Sequence, residues 1–159
     1  MKNKESNRSK EIFQKINKEK LSFVINQENF KNLSLDIAED LIGNFKRIDS
    51  SISLKWCLST VKKAKVFTLI YQANERGLPI YKEEIAKKLT EYSYKTIATI
   101  IDEGLNKGFY VSLEPDSDQK SLTDKKVKNL RPSLDLITSF YNWNIERIAS
   151  SENIIKKYR

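Results

Sequence analysis

The sequence contains no histidine, and its single cysteine is Cys57. Histidine is the commonest general base and, with cysteine, the commonest zinc ligand. Ser-His and Cys-His nucleophile systems and a structural zinc site are therefore excluded. A lone cysteine also rules out an internal disulfide and fits a reducing compartment, so we expect a cytoplasmic protein. We interpret Cys57 as buried and inert, with a redox-sensing thiol as the alternative.

Glycine is scarce as well, with four in the chain, and neither a GxGxxG nor a P-loop pattern is present. An enzyme would have to use carboxylates, lysine and tyrosine alone, and no spacing singles out such a set. No apolar run approaches the roughly 20 residues that a membrane helix needs. The charged N-terminus lacks the apolar segment of a secretory signal. We therefore predict a protein that is not an enzyme, uses no cofactor or metal, and has no membrane partner.

The net charge of +8 is the main positive feature of the composition. A basic protein of 159 residues, the length of one ordinary domain, favours a polyanionic partner such as nucleic acid. A compositional drift towards lysine is the alternative, so the positions of the charges must decide. Residues 1–33 are predicted to form a basic N-terminal arm, partly helical or mobile, that either touches phosphate or is simply solvated.

Hydrophobic periodicity predicts several helices. One spans 34–49 with Ser34 as its N-cap, and a short helix or turn follows around Trp56. The next spans 62–76, and the last, roughly 133–157, has a wide apolar face. We assign 34–61 and 132–159 to packing and dimerisation. The alternative is that the first of these helices covers the last one within one chain.

The central segment combines two short helices with a hairpin. Residues 82–101, "KEEIAKKLTEYSYKTIATII", hold two short apolar-periodic runs separated by a few polar residues. Alternating residues then predict strands over 109–115 and 125–131. This order predicts a mainly α fold with a small β-hairpin wing, a winged helix-turn-helix whose DNA-binding core is 62–131.

The second of these helices, about 93–107, is predicted to enter the major groove. Burial of its three isoleucines would turn a polar face outwards, and only its N-terminal half suits DNA because Asp102 and Glu103 would repel phosphate. The hairpin holds five basic against two acidic residues between 118 and 131, which suits the flanking backbone or the minor groove, although a solvated lysine-rich hairpin is the alternative. The predicted DNA-binding residues are Lys82, Tyr92, Ser93, Tyr94, Lys95, Thr96, Thr99, Lys120, Lys125, Lys126, Lys128 and Arg131.

A family resemblance rests on two stretches, "LPIYKEEIAKKL" and "YKTIATIIDEGLNKGFYVSLEPDSDQKSLTDKKVKNLRPS". Residues 64–133 resemble the winged-helix core of the MarR family of transcriptional regulators. The resemblance implies a homodimer paired through its terminal helices. It also implies that Asp124 braces the wing while Lys126 or Lys125 replaces an arginine that reaches DNA. Tyr81 stands where a Ser or Thr cap is usual, and Gly104 where a larger apolar residue is usual. These departures predict a weaker helix start and looser packing or a kink.

Together these observations predict a double-stranded DNA-binding transcriptional regulator. The alternative is a winged-helix protein-interaction module in a replication or transcription assembly, which would show an apolar patch on the outer face of 92–107. Tyr71, Trp56 and Trp143 are candidates for lining a small-molecule effector pocket, with ordinary core packing as the alternative.

Overall fold

The computed structural model describes residues 2–113 and 129–159. Within these ranges the chain is mainly helical with one small antiparallel hairpin, which confirms the coarse fold prediction. A short 3-10 turn, Lys18–Lys20, follows the first helix. The elements are α1 (Lys2–Lys15), α2 (Gln27–Asp49), α3 (Ile52–Cys57), α4 (Val61–Glu75), α5 (Lys82–Lys88), α6 (Tyr94–Asn106), β1 (Tyr110–Leu113), β2 (Asn129–Pro132) and α7 (Leu134–Tyr158). None of the helices in this described part is both long and apolar enough to cross a membrane.

The chain divides into two compact units. One is Ile48–Asn142, and the other combines Met1–Arg47 with Trp143–Arg159. The divisions fall inside α2 and α7, whereas the sequence divided the chain at residues 33, 61 and 131. Periodicity does not reveal such a division, because both helices continue through it without a break.

The core of the Ile48–Asn142 unit lies among α3, α4, α5, α6, the hairpin and the start of α7. Ile97, Ile100 and Ile101 of α6 are 0%, 7% and 0% exposed, which confirms their predicted inward orientation. Burying such side chains contributes about 1.5–3 kcal/mol each, so they fix the rotation of α6 about its axis. The other large, fully buried side chains of this core are Val66, Phe67, Ile70, Ile85, Tyr110, Leu130 and Leu136.

The hairpin pairs β1 with β2 from Tyr110 opposite Pro132 to Leu113 opposite Asn129. The segment before α5 runs beside β2, since the Leu130 amide donates to the Ile80 carbonyl at 3.0 Å. The predicted strands 109–115 and 125–131 overlap these elements only in part. The predicted tip of the hairpin lies outside the described residues.

Gly104 is the contact point between α6 and β1. A Cβ built on it would lie 2.3 Å from Cδ2 of Tyr110 and 3.1 Å from Cη2 of Trp56. The predicted looser packing or kink is therefore wrong, because α6 is continuous to Asn106 and the missing side chain admits the buried Tyr110 ring. The glycine brings the helix and the strand close together.

One predicted helix start needs correction, and a second lacks a Ser or Thr cap as predicted but has a partial substitute. The helix expected at Ser34 begins at Gln27, because Oδ1 of Asn26 accepts from the Asn29 amide at 2.8 Å and caps an earlier turn. Ser34 lies inside this helix. At α5, the Tyr81 amide donates to Oε2 of Glu84 at 3.1 Å, which is one half of a capping box. This bond supports a helix start that lacks a Ser or Thr hydroxyl.

In the second unit, α2 and α7 run antiparallel and are joined by polar contacts. Nζ of Lys157 and Oη of Tyr158 donate to Asp36, at 2.8 and 2.6 Å, and Nε of Arg47 pairs with Glu146 at 3.2 Å. The two hydrogen bonds to Asp36 lower the pKa of its carboxyl. Both helices nevertheless keep exposed apolar side chains, namely Leu35, Ile37, Leu41, Ile42, Phe45, Ile145, Ile148 and Ile155.

Candidate nucleic-acid interface

The start of α6 is fixed by Ser93. Its backbone is extended, and its Oγ accepts from the Thr96 amide at 3.1 Å, so the helix begins at Tyr94. The same Oγ lies 2.9 Å from Oγ1 of Thr96. Ser93 is exposed, as predicted, but its hydroxyl already serves as the helix cap. Its main contribution is therefore to orient the first turn of α6.

The outward row of α6 is polar in its N-terminal half. Lys95 and Thr99 are exposed and Thr96 is half-buried. Oγ1 of Thr99 donates to the Lys95 carbonyl at 2.8 Å, so its remaining capacity is to accept a hydrogen bond. The amino groups that adenine and cytosine present in the major groove are donors of the matching kind.

Both acidic residues further along α6 are paired. Asp102 forms an ion pair with Nζ of Lys82 at 2.7 Å, which ties the start of α5 to α6. Oε1 of Glu103 accepts from Nε1 of Trp56 at 2.7 Å and lies 3.5 Å from Nζ of Lys63. The Trp56 hydrogen bond, with help from the Lys63 charge, lowers the pKa of Glu103. Lys82 was predicted to contact DNA. In the structure its ammonium group is paired with the Asp102 carboxylate.

The two tyrosines at the leading end of α6 have different surroundings. Tyr92 is half-buried against the core, and Nζ of Lys62 and Nζ of Lys65 lie 5.7 and 5.4 Å from its ring centroid. Tyr94 is 51% exposed, and its Oη is 3.4 Å from Oε1 of Glu83. Tyr94 is therefore at the surface. The ring of Tyr92 instead makes cation–π contacts with Lys62 and Lys65.

Three lysines at the start of α4 were missed by the sequence interpretation, which treated "KKAK" only as part of a helix; Lys62 and Lys63 lie beside α6, and Lys65 lies beside the residues that precede it. Thr60 caps α4 by accepting from the Lys63 amide at 3.2 Å. Nζ of Lys63 lies 4.4 Å from the Trp56 ring centroid, and Nζ of Lys65 pairs with Glu91. The signal was available in the sequence as three lysines within residues 62–65, two positions after the capping Thr60.

A shallow cleft of about 360 Å³ separates the start of α4 from α6. Its walls carry lysine and threonine side chains from both elements, which gather cations and hydroxyl groups on one side of the unit. Groups of this kind bind phosphate. The cleft is lined by Thr60, Lys62, Lys63, Lys95, Thr96, Thr99 and Ile100.

Of the predicted wing cations, Arg131 alone belongs to the described part of the chain. It is half-buried in β2, and its Nη1 donates to Oδ1 of Asn74 at 3.4 Å. This contact directs it towards α4. The other predicted wing residues, Lys120, Asp124, Lys125, Lys126 and Lys128, lie outside the described residues.

Cys57 is fully buried, with its Sγ 4.0 Å from Oη of Tyr110. Burial raises the pKa of the thiol to about 12, so it stays protonated at neutral pH. This confirms the interpretation of Cys57 as a buried thiol.

The residues proposed for an effector pocket have other contacts. Tyr71 packs edge-on against Phe140, with 4.8 Å between the ring centroids, and Trp56 packs against Phe109 and Tyr110. Trp143 belongs to the other compact unit. The aromatic rings of Tyr71 and Trp56 are thus part of the core packing. Across the described ranges there is no group of three or more acidic or cysteine side chains that could hold a metal ion.

Comparisons of the chain with protein-family models, curated proteins and solved structures found no match. The resemblance to the MarR family therefore rests on the quoted stretches alone. The function has to be argued from the surface formed by α4 and α6.

Proposed function

We propose that this chain binds double-stranded DNA through a winged helix-turn-helix formed by α4, α5, α6 and the hairpin, and that it regulates transcription. One observation carries the proposal. The buried isoleucines fix the rotation of α6, so that Lys95 and Thr99 are exposed on the same side as the lysines of α4.

The dimensions and polarity of α6 support entry into a major groove. The helix has 13 residues and is therefore about 20 Å long. A major groove admits an α-helix and presents a distinct donor and acceptor pattern for each base pair. We assign sequence discrimination to Thr99 and phosphate contact to Lys95, with the basic wing on the flanking backbone or minor groove.

The polar character of this face favours DNA over a protein-interaction module. Along the outer side of α6 the exposed residues include Lys95, Thr99 and Asp102, and Tyr94 is the exposed large aromatic side chain. A docking face for a protein helix would instead carry a patch of aliphatic side chains.

We further propose that the protein acts as a cytoplasmic homodimer. On α7, the exposed residues Ile145, Ile148 and Ile155 fall on one stripe, and α2 has a comparable stripe at Ile37, Leu41 and Phe45. Pairing of α2 with α7 within one chain leaves both stripes uncovered. A second copy would bury them and would present two α6 helices to two half-sites.

Binding to DNA can be tested by fluorescence anisotropy with a random duplex and with the protein's own upstream DNA, at two salt concentrations. We expect Lys95→Gln to weaken binding to both, while Lys107→Gln, at the other end of α6, serves as the matched control. Absence of binding by the unaltered protein to either duplex at low salt would refute the proposal. Equal losses for the two variants would contradict the orientation of α6.

The role of Thr99 can be tested separately by selection from random duplexes. We expect Thr99→Ala to alter the preferred sequence more than the total affinity, because its hydroxyl is positioned to accept from a base. Recovery of the same motif with both proteins would contradict this assignment.

A further inference from the structure

The cleft between the start of α4 and α6 brings together cations that are far apart in sequence. Lys62 comes from the first turn of α4 and Lys95 from the first turn of α6, and both line the cleft. Ile100 also contributes to the lining, and its burial keeps this part of α6 against the core. An anion in the cleft would therefore face lysines from two separate elements.

The lysines around the cleft differ in whether they already have a carboxylate partner. Lys63 pairs with Glu103, and Lys65 pairs with Glu91. Within the described residues, neither Lys62 nor Lys95 forms an ion pair. Lys62 instead lies over the Tyr92 ring, a contact that leaves ammonium protons free to donate. These two lysines can thus bind an incoming anion without first breaking a salt bridge.

The backbone at the start of α4 also favours the binding of an anion in the cleft. Thr60 accepts from the Lys63 amide, but the amides of the first helical residues have no partner within the helix. Such amides, together with the helix dipole, favour negative charge near the first turn. On the α6 wall of the cleft, the exposed Thr99 side chain adds a hydroxyl group.

We infer that this cleft is a phosphate-binding site, with Lys62 and Lys95 as its principal ligands. We assign the phosphate to the backbone of the duplex that receives α6, and this assignment rests on the proposed function. A free phosphorylated small molecule presents the same chemistry and is the other possible source. Among the described residues, none that lines the site belongs to β1 or β2, and the site assigns α4 a role in binding.

Glu103 has a positioning role next to this site. By pairing with Lys63 and accepting from Trp56, it holds Lys63 at the edge of the cleft and offsets its charge. Glu103→Gln keeps an acceptor for Trp56 but removes the negative charge. We therefore expect this variant to bind duplex DNA several-fold more tightly at low salt, with a larger gain than Glu84→Gln, an exposed acid on α5.

The main test compares Lys62→Gln with Lys46→Gln, which removes the same charge from an exposed position on α2. Duplex affinity is measured by anisotropy over a range of salt concentrations. We expect Lys62→Gln to reduce affinity roughly 3- to 10-fold at low salt and to lower the salt slope by about 0.9, the value for one phosphate contact. Circular dichroism checks that both variants are folded.

A second measurement does not depend on DNA. The 15N-labelled protein is titrated with dimethyl phosphate and with inorganic phosphate, and the amide signals of Thr60–Lys63 and Lys95–Thr99 are followed. We expect both probes to shift these signals, and Lys62→Gln to remove the shifts.

The outcomes separate the two proposals. If the unaltered protein binds the duplex, and Lys62→Gln matches Lys46→Gln in affinity and slope, the inferred site is refuted while DNA binding stands. If phosphate shifts the cleft signals but no duplex binds, the site exists for a free phosphorylated ligand and the proposed function fails. If neither probe nor duplex affects these signals, the inference is refuted.

Discussion

Replacing Gly104 with alanine should destabilise the protein, although alanine is the better helix former. The added Cβ would lie 2.3 Å from Cδ2 and 2.5 Å from Cε2 of Tyr110, distances that no real Cβ contact tolerates. The Tyr110 ring is 1% exposed and is packed against Trp56, with 5.9 Å between the ring centroids. It therefore cannot move aside without disturbing the core.

The size of the effect follows from two opposing contributions. Overpacking a filled core typically costs about 1–3 kcal/mol, and a contact this short belongs at the upper end. Replacing glycine with alanine inside a helix contributes about 1 kcal/mol in the other direction. We expect a net loss of about 2 kcal/mol, which lowers the melting temperature by roughly 4–8 °C for a chain of this length.

Urea unfolding and thermal melting, both followed by circular dichroism, measure this change. Gly43→Ala in α2 is the matched control, because its Cβ would meet only the flexible Arg47 side chain, at 3.6 Å. We expect this control to be neutral or to stabilise the protein by up to about 1 kcal/mol. A Gly104→Ala variant as stable as the unaltered protein would show that Tyr110 does not pack against α6.

Three further predictions concern the wing, the thiol and the apolar stripe of α7. Joint replacement of Lys125, Lys126 and Lys128 with alanine should weaken binding to all duplexes and flatten its salt dependence; an unchanged slope in a salt titration would argue against the wing. The buried Cys57 thiol has its pKa raised from 9.0 to about 12, so the unfolded chain loses this proton first and stability should fall as the pH rises from about 9 towards 12. Urea titrations at pH 8 and pH 10 should show a smaller fall for Cys57→Ala, and an equal fall would contradict the assignment. If the protein is the proposed dimer, Ile148→Glu should convert it to a monomer in light scattering, whereas Glu152→Gln should not; a monomeric unaltered protein would refute the proposed dimer.

Local patterns predicted many of the elements because helix formation depends on nearby residues. The end of α4 is one example: Gly77 has a φ of 64°, and the Leu78 amide donates to the Ala73 carbonyl at 2.9 Å. The start of α2 was placed seven residues too late because Ser34 and Asn26 are both good caps. Choosing between them required knowing that the earlier turn packs, with Phe30 against Phe13.

The candidate site was only half predicted, for a related reason. Periodicity identified the polar face of α6, since it depends only on which residues of that helix are apolar. It could not show that Lys62 and Lys63 of α4 lie across a cleft from Lys95. These lysines are far apart in the sequence. Core packing brings them close together in space, and no local sequence pattern indicates that it does.

The sequence by itself determined the helical character of the chain, its hairpin strands, the inward direction of three isoleucines and the absence of histidine chemistry. Each of these depends on residue type and short-range spacing. Tertiary structure decided that Gly104 receives a tyrosine ring, that Lys82 and Lys63 are paired with acids, and that two other lysines share a cleft. Those facts depend on contacts between residues distant in the chain, whose distances and partners are fixed only when the elements pack.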